Sequence, residues 1–260
     1  MNTILSKFHV RIVIFLACTI VVGCQYGITN PSAKKENLAK VANLNTELGF
    51  RYMQEMEFDL AYKKISKALS ADPKHAEAHN AMGLLKNALG ETKEAESFFL
   101  TAIRLNKENP ATSNNYGQFL CQHGRYSEGK NYLLLAAGNP LNASKAAAYF
   151  NTGKCMRAAN KDDEAEMYFL QALQLSPNDP LSLIEIANLK LLSAELVPAI
   201  EYFTKFKQLS THNSFSLWFG FRLAVATNNK DDAASYKLLL NGMFPESEEA
   251  KLLDNYTDTR

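Results

Sequence analysis

Gly49, Gly83 and Gly117 stand 34 residues apart, as do Ala61, Ala95 and Gly129, and again Ala68, Ala102 and Ala136. A supersecondary unit copied at this period cannot bury its apolar face alone, so successive copies have to stack. Within the first copy Phe58, Ala61, Tyr62, Ile65, Ala68 and Leu69 recur at three- and four-residue steps, the period of a helix. The expected fold is all-α: an α-solenoid of helix-turn-helix repeats forming a right-handed superhelix, with the first helix of each repeat lining a concave inner face.

The spacing resembles that of the tetratricopeptide repeat. Counting from Ala42, the repeats run 42–75, 76–109, 110–143, 146–179, 180–213 and 214–247, with two residues inserted before the fourth and a tail over 248–260. Small residues at positions 8 and 20 let the two helices of a repeat approach closely. The alanine at position 27 admits the next repeat, and Pro73, Pro177 and Pro245 end second helices. The sixth repeat is degenerate and keeps Ala233 and Pro245. Asn45 replaces the usual first aromatic, and Lys107 replaces the second repeat's proline, which predicts a looser junction there.

Residues 1–23 form a different kind of segment. Lys7 and Arg11 precede an apolar run from Ile12 to Val22, then Gly23 and Cys24. A run this short falls below the roughly 20 residues a bilayer span requires and reads as a signal peptide. Val21-Val22-Gly23-Cys24 resembles a bacterial lipobox. The coincidence of run length, glycine and cysteine favours lipidation of Cys24 over an ordinary signal peptide or short anchor with an incidental cysteine, and Cys18 has too little apolar run before it. Several acyl chains on one residue, palmitate among them, anchor firmly. By resemblance to bacterial lipoproteins, Gln25 at the sorting position implies the outer membrane, with the repeats in the periplasm. Residues 24–41 read as the lipidated N-terminus and a flexible tether, holding the repeats roughly 20–25 Å from the anchor.

The whole chain has 28 basic and 27 acidic residues; losing Lys7 and Arg11 with residues 1–23 leaves 26 against 27. No basic stripe is visible, which demotes nucleic acid as a partner. Cys121 and Cys155 lie near the ends of first helices in adjacent repeats. Two readings stand: a disulfide formed in an oxidising compartment, or two small thiols packed as hydrophobes. The insertion between these repeats favours the bridge.

No catalytic constellation is present, so the chain reads as a binder and not an enzyme, with no small-molecule substrate and no cofactor. His75 and His79 lack a third metal ligand, and Glu77 is misplaced for a zincin motif. The carboxylates of Asp162-Asp163-Glu164 and of Glu246 to Glu249 fall at helix starts, where they suit the macrodipole.

Positions facing the concave groove are more informative. Phe50, Met53 and Leu84 make an apolar strip edged by amides, and Asn80 and Asn114 are placed to hydrogen-bond a partner's backbone. The competing reading has Phe50 and Leu84 packing on each other. The third repeat offers Ala111, Asn114 and Asn115 where a clamp for a C-terminal carboxylate needs cations, which argues against that mode here.

The order of parts resembles the PilF/PilW outer-membrane lipoproteins of type IV pilus biogenesis, called pilotins. The resemblance rests on the lipobox, the six repeats, Asn114-Asn115-Tyr116-Gly117-Gln118-Phe119-Leu120-Cys121, Ser216-Leu217-Trp218-Phe219-Gly220-Phe221-Arg222-Leu223-Ala224 and Asp232-Ala233-Ala234-Ser235-Tyr236. It implies a lipoprotein that binds the pilus secretin subunit, holds it at the outer membrane and promotes assembly of the secretin ring; docking of pilin subunits or other pilus assembly proteins is left open. It also implies a partner groove mapping onto Phe50, Met53 and Leu84, and a cysteine pair matching Cys121 and Cys155. The runner-up is a repeat-bearing lipoprotein of another outer-membrane machine, for β-barrel insertion or peptidoglycan synthesis. In the sixth repeat, the cluster Leu217, Trp218, Phe219 and Phe221 reads as a cap on the stack, with a second contact patch as the alternative.

Overall fold

A computed structural model of the chain describes residues 31–256, and the regular elements among them are thirteen α-helices. The signal segment 1–23 and Cys24 lie outside the described residues. Two compact units are distinguished, Met1–Ala78 and His79–Arg260.

The first unit contains α1 (Pro31–Gln54) and α2 (Phe58–Ala71). Residues 31–41, expected to be tether, are helical instead. Proline is favoured at a helix start, no further proline follows before Gln54, and Glu36 pairs with Lys40 one turn on at 2.7 Å. Ala61, Ile65 and Ala68 are the buried face of α2, and a Cβ on Gly49 would sit 3.1 Å from Ile65 Cδ1, so the glycine sets the approach of α1 to α2.

Helix α3 (Ala76–Ala88) crosses into the second unit, which continues through α4 (Thr92–Leu105), α5 (Pro110–Gln122), α6 (Tyr126–Gly138), α7 (Lys145–Ala158) and α8 (Asp162–Leu175). Then come α9 (Pro180–Leu192), α10 (Leu196–Leu209), α11 (Ser214–Ala226), α12 (Lys230–Met243) and α13 (Glu248–Asp254). From α3 on, odd-numbered helices up to α11 are the first helices of repeats and even-numbered ones the second.

Each helix pair is closed by one left-handed residue at the same repeat position: Met56 (φ 60°), Gly90 (77°), Gly124 (75°), Asn160 (56°), Ala194 (60°) and Asn228 (57°). Glycine and asparagine tolerate that conformation; methionine and alanine adopt it at a cost of about 1–2 kcal/mol. Between repeats, Pro73, Pro177 and Pro245 follow the ends of α2, α8 and α12 by two residues. Helix α4 stops at the matching place without a proline. Asn106 turns the chain there, its Oδ1 accepting from the Glu108 N–H at 3.2 Å, so Lys107 leaves the helix boundary unchanged. The next helices start on side-chain caps: Asn109 Oδ1 accepts from Ala111 N and Thr112 N, and Asp179 from Ser182 N, each ahead of a proline in the first turn.

The core of the second unit runs between consecutive helix pairs. Phe99, Tyr116, Phe119 and Leu120 form one cluster. Leu133, Met156, Phe169 and Ile186 form the next, and Leu183, Phe203, Phe206 and Phe219 a third. The loop between α6 and α7, which carries the insertion, is tied back by asparagines, Asn139 Nδ2 donating to Glu108 O at 2.7 Å and Asn142 Nδ2 to Ala136 O at 2.8 Å.

The expected tail over 248–260 is in part a helix. Ser247 caps α13, and its Ala250 and Leu253 are buried against Leu217, Phe221 and Leu240. Thus the sixth repeat packs on the fifth through Phe219 and Leu223 and is itself covered by α13, which shields the apolar end of the stack.

Candidate functional site

Within the second unit, polar side chains link each first helix to the next. Asn115 Nδ2 donates to Asn80 Oδ1 at 3.2 Å, joining α5 to α3, and Asn87 Nδ2 donates to Gln122 Oε1 at 3.0 Å across the same step. Asn151 Nδ2 donates to Asn114 Oδ1 at 2.9 Å, joining α7 to α5. Arg157 Nη1 donates to Glu185 Oε2 at 3.0 Å, and Arg222 Nη1 to Asn188 Oδ1 at 3.0 Å, completing the series through α9 and α11. This ladder fixes the register of the first helices and leaves the remaining amide groups of the face available to a bound chain.

The predicted partner residues divide between the units. Phe50 and Met53 are half-buried on α1 of the first unit. In the second, Leu84 is half-buried and packs against the Phe99 and Tyr116 cluster. Asn80 is 4 % exposed. Both Asn80 and Asn114 spend their carbonyl oxygens on the ladder, so what they can offer a partner is the amide N–H2.

Cys121 and Cys155 are joined by a disulfide with Cα atoms 5.5 Å apart. Beside it lies a shallow pocket of about 170 Å³ lined by Gln118, Gln122, Asn151 and Lys154. His75, considered as a metal ligand, has its Nε2 against Asn43 Oδ1 at 2.5 Å.

Ion pairs elsewhere in the unit join helices. Arg125 bridges Glu96 and Glu128, and Tyr116 Oη donates to Glu96 at 2.9 Å. The hydrogen bond from Arg125 holds the Glu96 carboxyl below its usual range against the opposing effect of burial. Burial and then Glu96 push the Tyr116 hydroxyl up. Lys86 is pushed up by hydrogen bonds to Glu91 and Glu94. Lys190 pairs with Glu166 at 2.7 Å and Glu195 at 3.0 Å, and Lys130 with Glu164 at 2.9 Å. Sequence reasoning missed the Arg157–Glu185 and Asn188–Arg222 pairs; Asn188 and Arg222 stand at the same place one repeat apart, which was the available signal, whereas Arg157 and Glu185 are 28 residues apart and gave none.

Helix pairs at this period, with a polar first-helix face, define a tetratricopeptide-repeat scaffold, which acts through protein–protein interaction. The tetratricopeptide repeat family pattern matches residues 76–109 and 146–179. The chain is 32% identical over 237 residues to the type IV pilus assembly protein PilF of Pseudomonas aeruginosa, covering 91% of this chain and 94% of that one. The solved structure of P. aeruginosa PilF is similar with a TM-score of 0.75 at 32% identity, over 84% of this chain and 99% of that one. PilW, described as a widely conserved type IV pilus biogenesis factor, is similar with a TM-score of 0.74 at 29% identity, over 82% and 98%. The chain belongs to the PilF/PilW family of tetratricopeptide-repeat proteins of type IV pilus biogenesis.

Proposed function

We propose that the protein is an outer-membrane lipoprotein, acylated on Cys24, that binds the type IV pilus secretin subunit and promotes its localisation and assembly into a ring. The observation that carries this reading is the 32% identity to PilF over 91% of the chain, a match spanning all six repeats and not one generic repeat. The lipobox-like Val21-Val22-Gly23-Cys24 supports the anchor. Confinement to one membrane face raises the effective concentration of the repeats for partners arriving there. For contact with the partner we assign Phe50 and Met53 in the first unit, and Leu84 and Asn114 in the second, because they combine partly exposed apolar surface with an unspent amide donor; Asn80, expected beside them, is buried and serves the ladder.

The test is deletion in the host bacterium, followed by assay of piliation and of heat-resistant secretin multimers in isolated outer membranes. Loss of both, restored by the wild-type gene and not by Cys24→Ala, supports the reading. A normal secretin ladder in a piliated deletion strain sinks it. Pull-down of secretin by the intact protein, lost in folded Phe50→Asp or Leu84→Asp variants, places the contact.

A further inference from the structure

The segment Ser216–Ala224 carries two kinds of residue. Leu217, Phe219, Phe221 and Leu223 are buried in the clusters that bind α11 to its neighbours. Trp218 and Arg222, one helical turn apart, are only partly buried and meet on another face, with the guanidinium carbon 6.0 Å from the indole centroid.

Arg222 differs from the other withdrawn cations of the second unit. Lys86, Lys130, Arg157 and Lys190 each rest on at least one carboxylate. Arg222 pairs with none among the described residues; its partners are the neutral Asn188 oxygen and the Trp218 ring. A guanidinium has five N–H donors, and this one commits a single donor to Asn188. Burial lowers its pKa, Tyr256 opposes that, and Arg157 lowers it further, so a desolvated cation lies in the field of a second one. Taking a charge from water without a counter-charge is unfavourable, and an incoming anion relieves it.

The same face is basic beyond this one residue. Lys154 of α7 is exposed, occupies the repeat position that Arg222 holds in α11, and lies 6.0 Å from the Phe150 centroid with no carboxylate partner among the described residues. Arg157 is engaged by Glu185 and, at 3.7 Å, by Asp162.

We propose that the C-terminal repeats hold a second binding site, in which Arg222 and Lys154 take the carboxylate side chains of an extended acidic segment of a partner protein. Charge complementarity selects the occupant, and Arg222 offers the fork geometry that a carboxylate matches. Lys154 and Arg222 are two first helices apart, on the order of 16–20 Å at the usual spacing of packed helices. One terminal carboxylate cannot meet both, whereas acidic residues about six apart on an extended chain can. The site is separate from the contacts assigned to secretin and stands whichever protein supplies the segment.

Trp218 is the sole tryptophan of the chain and adjoins the site, so its fluorescence reports occupancy. The full chain, purified in detergent, would be titrated with a blocked Gly/Ser peptide carrying two aspartates about six residues apart. Its asparagine counterpart, that counterpart with a free C-terminus, and inorganic phosphate complete the set. The expected result is saturable binding of the aspartate peptide, at least about tenfold tighter than the asparagine peptide, weakening with salt. Arg222→Gln should weaken it about tenfold, Arg222→Lys less, and the exposed Lys154→Gln about threefold with helicity unchanged. Equal binding of the two blocked peptides overturns the proposal. So does binding only of the free C-terminus, a response to phosphate matching that to the peptide, or a folded Lys154→Gln protein with unchanged affinity.

Discussion

A Cβ placed on Gly129 would fall within the van der Waals shell of Cys121 Sγ, and at the same time 2.8 Å from the Gly117 carbonyl oxygen. Gly129 stands at position 20, where the first, second, fourth and fifth repeats carry alanine. The smaller residue is required here because the disulfide sulfur occupies the space that the alanine methyl fills elsewhere.

Gly129→Ala is therefore expected to destabilise the second unit by about 1–3 kcal/mol, the usual cost of overpacking. Thermal melting checks this, and the penalty should shrink in a Cys121→Ala, Cys155→Ala background. Part of it should persist, since the Gly117 oxygen remains. An unchanged melting temperature in the oxidised protein would show that α5 and α6 yield easily.

The Cys121–Cys155 bond spans 34 residues and ties α5 to α7 across the inserted loop. Chain entropy alone predicts that reducing it, or replacing both cysteines by alanine, costs about 3–4 kcal/mol. A melt with and without reductant measures it. Cys155 is 3 % exposed, so a smaller loss means that the well-packed thiols hold the two helices without the bond.

The intra-repeat turns show why sequence reading succeeded for the helices and missed some joints. Small residues at positions 8, 20 and 27 are forced by helix contact, and they located the repeats. The left-handed residue at position 15 is glycine in two repeats and asparagine in two others, yet Met56 and Ala194 break the pattern and hide it. Residues 31–41 read as tether because they lack an apolar face, although helix propensity and the Glu36–Lys40 pair suffice to continue α1. Helix α13 has seven residues, too few to show a period, and is held by burial of Ala250 and Leu253. Asn114 was expected to face a groove; its bond to Asn151 was not foreseen, because it depends on the stacking register, which a single sequence does not display.

Ala194 offers a direct test of that joint. It is exposed and holds φ at 60°. Ala194→Gly relieves about 1–2 kcal/mol of backbone strain and gives back about 0.5–1 in unfolded-state entropy. A net gain of about 0.5–1 kcal/mol is expected, or a rise of roughly 1–4 °C in melting temperature. Gly124→Ala, at φ 75°, should move it the other way. No difference between these variants would mean that the turn carries no strain.

Glu96 joins two groups, accepting from Arg125 and from the Tyr116 hydroxyl. Glu96→Gln keeps the shape and removes the charge, with an expected cost of about 1–2 kcal/mol. Its carboxyl is held low in the folded state. The charged contact therefore contributes fully above the ordinary glutamate value of about 4.3 and is lost as the pH falls through the folded value. In the variant, Tyr116 should ionise at lower pH than in the wild type, read by ultraviolet absorbance, since one cause of its elevation is gone.

His212 sits among Phe203, Phe206 and Tyr236, with ring centroids at 5.9, 6.1 and 5.8 Å, and its Nδ1 lies 3.1 Å from Ser216 Oγ. Burial, with a smaller effect from Lys207, lowers its pKa below the ordinary value. The unfolded chain therefore binds a proton in a range where the folded chain does not. The stabilisation is complete above the unfolded value of about 6.5 and declines as the pH falls from there towards the folded one. Melting between neutral and mildly acidic pH should show the second unit losing stability. His212→Gln should flatten that slope while lowering stability at neutral pH through lost ring contacts. A slope identical in wild type and variant would assign the acid sensitivity to another group and remove His212 as its cause.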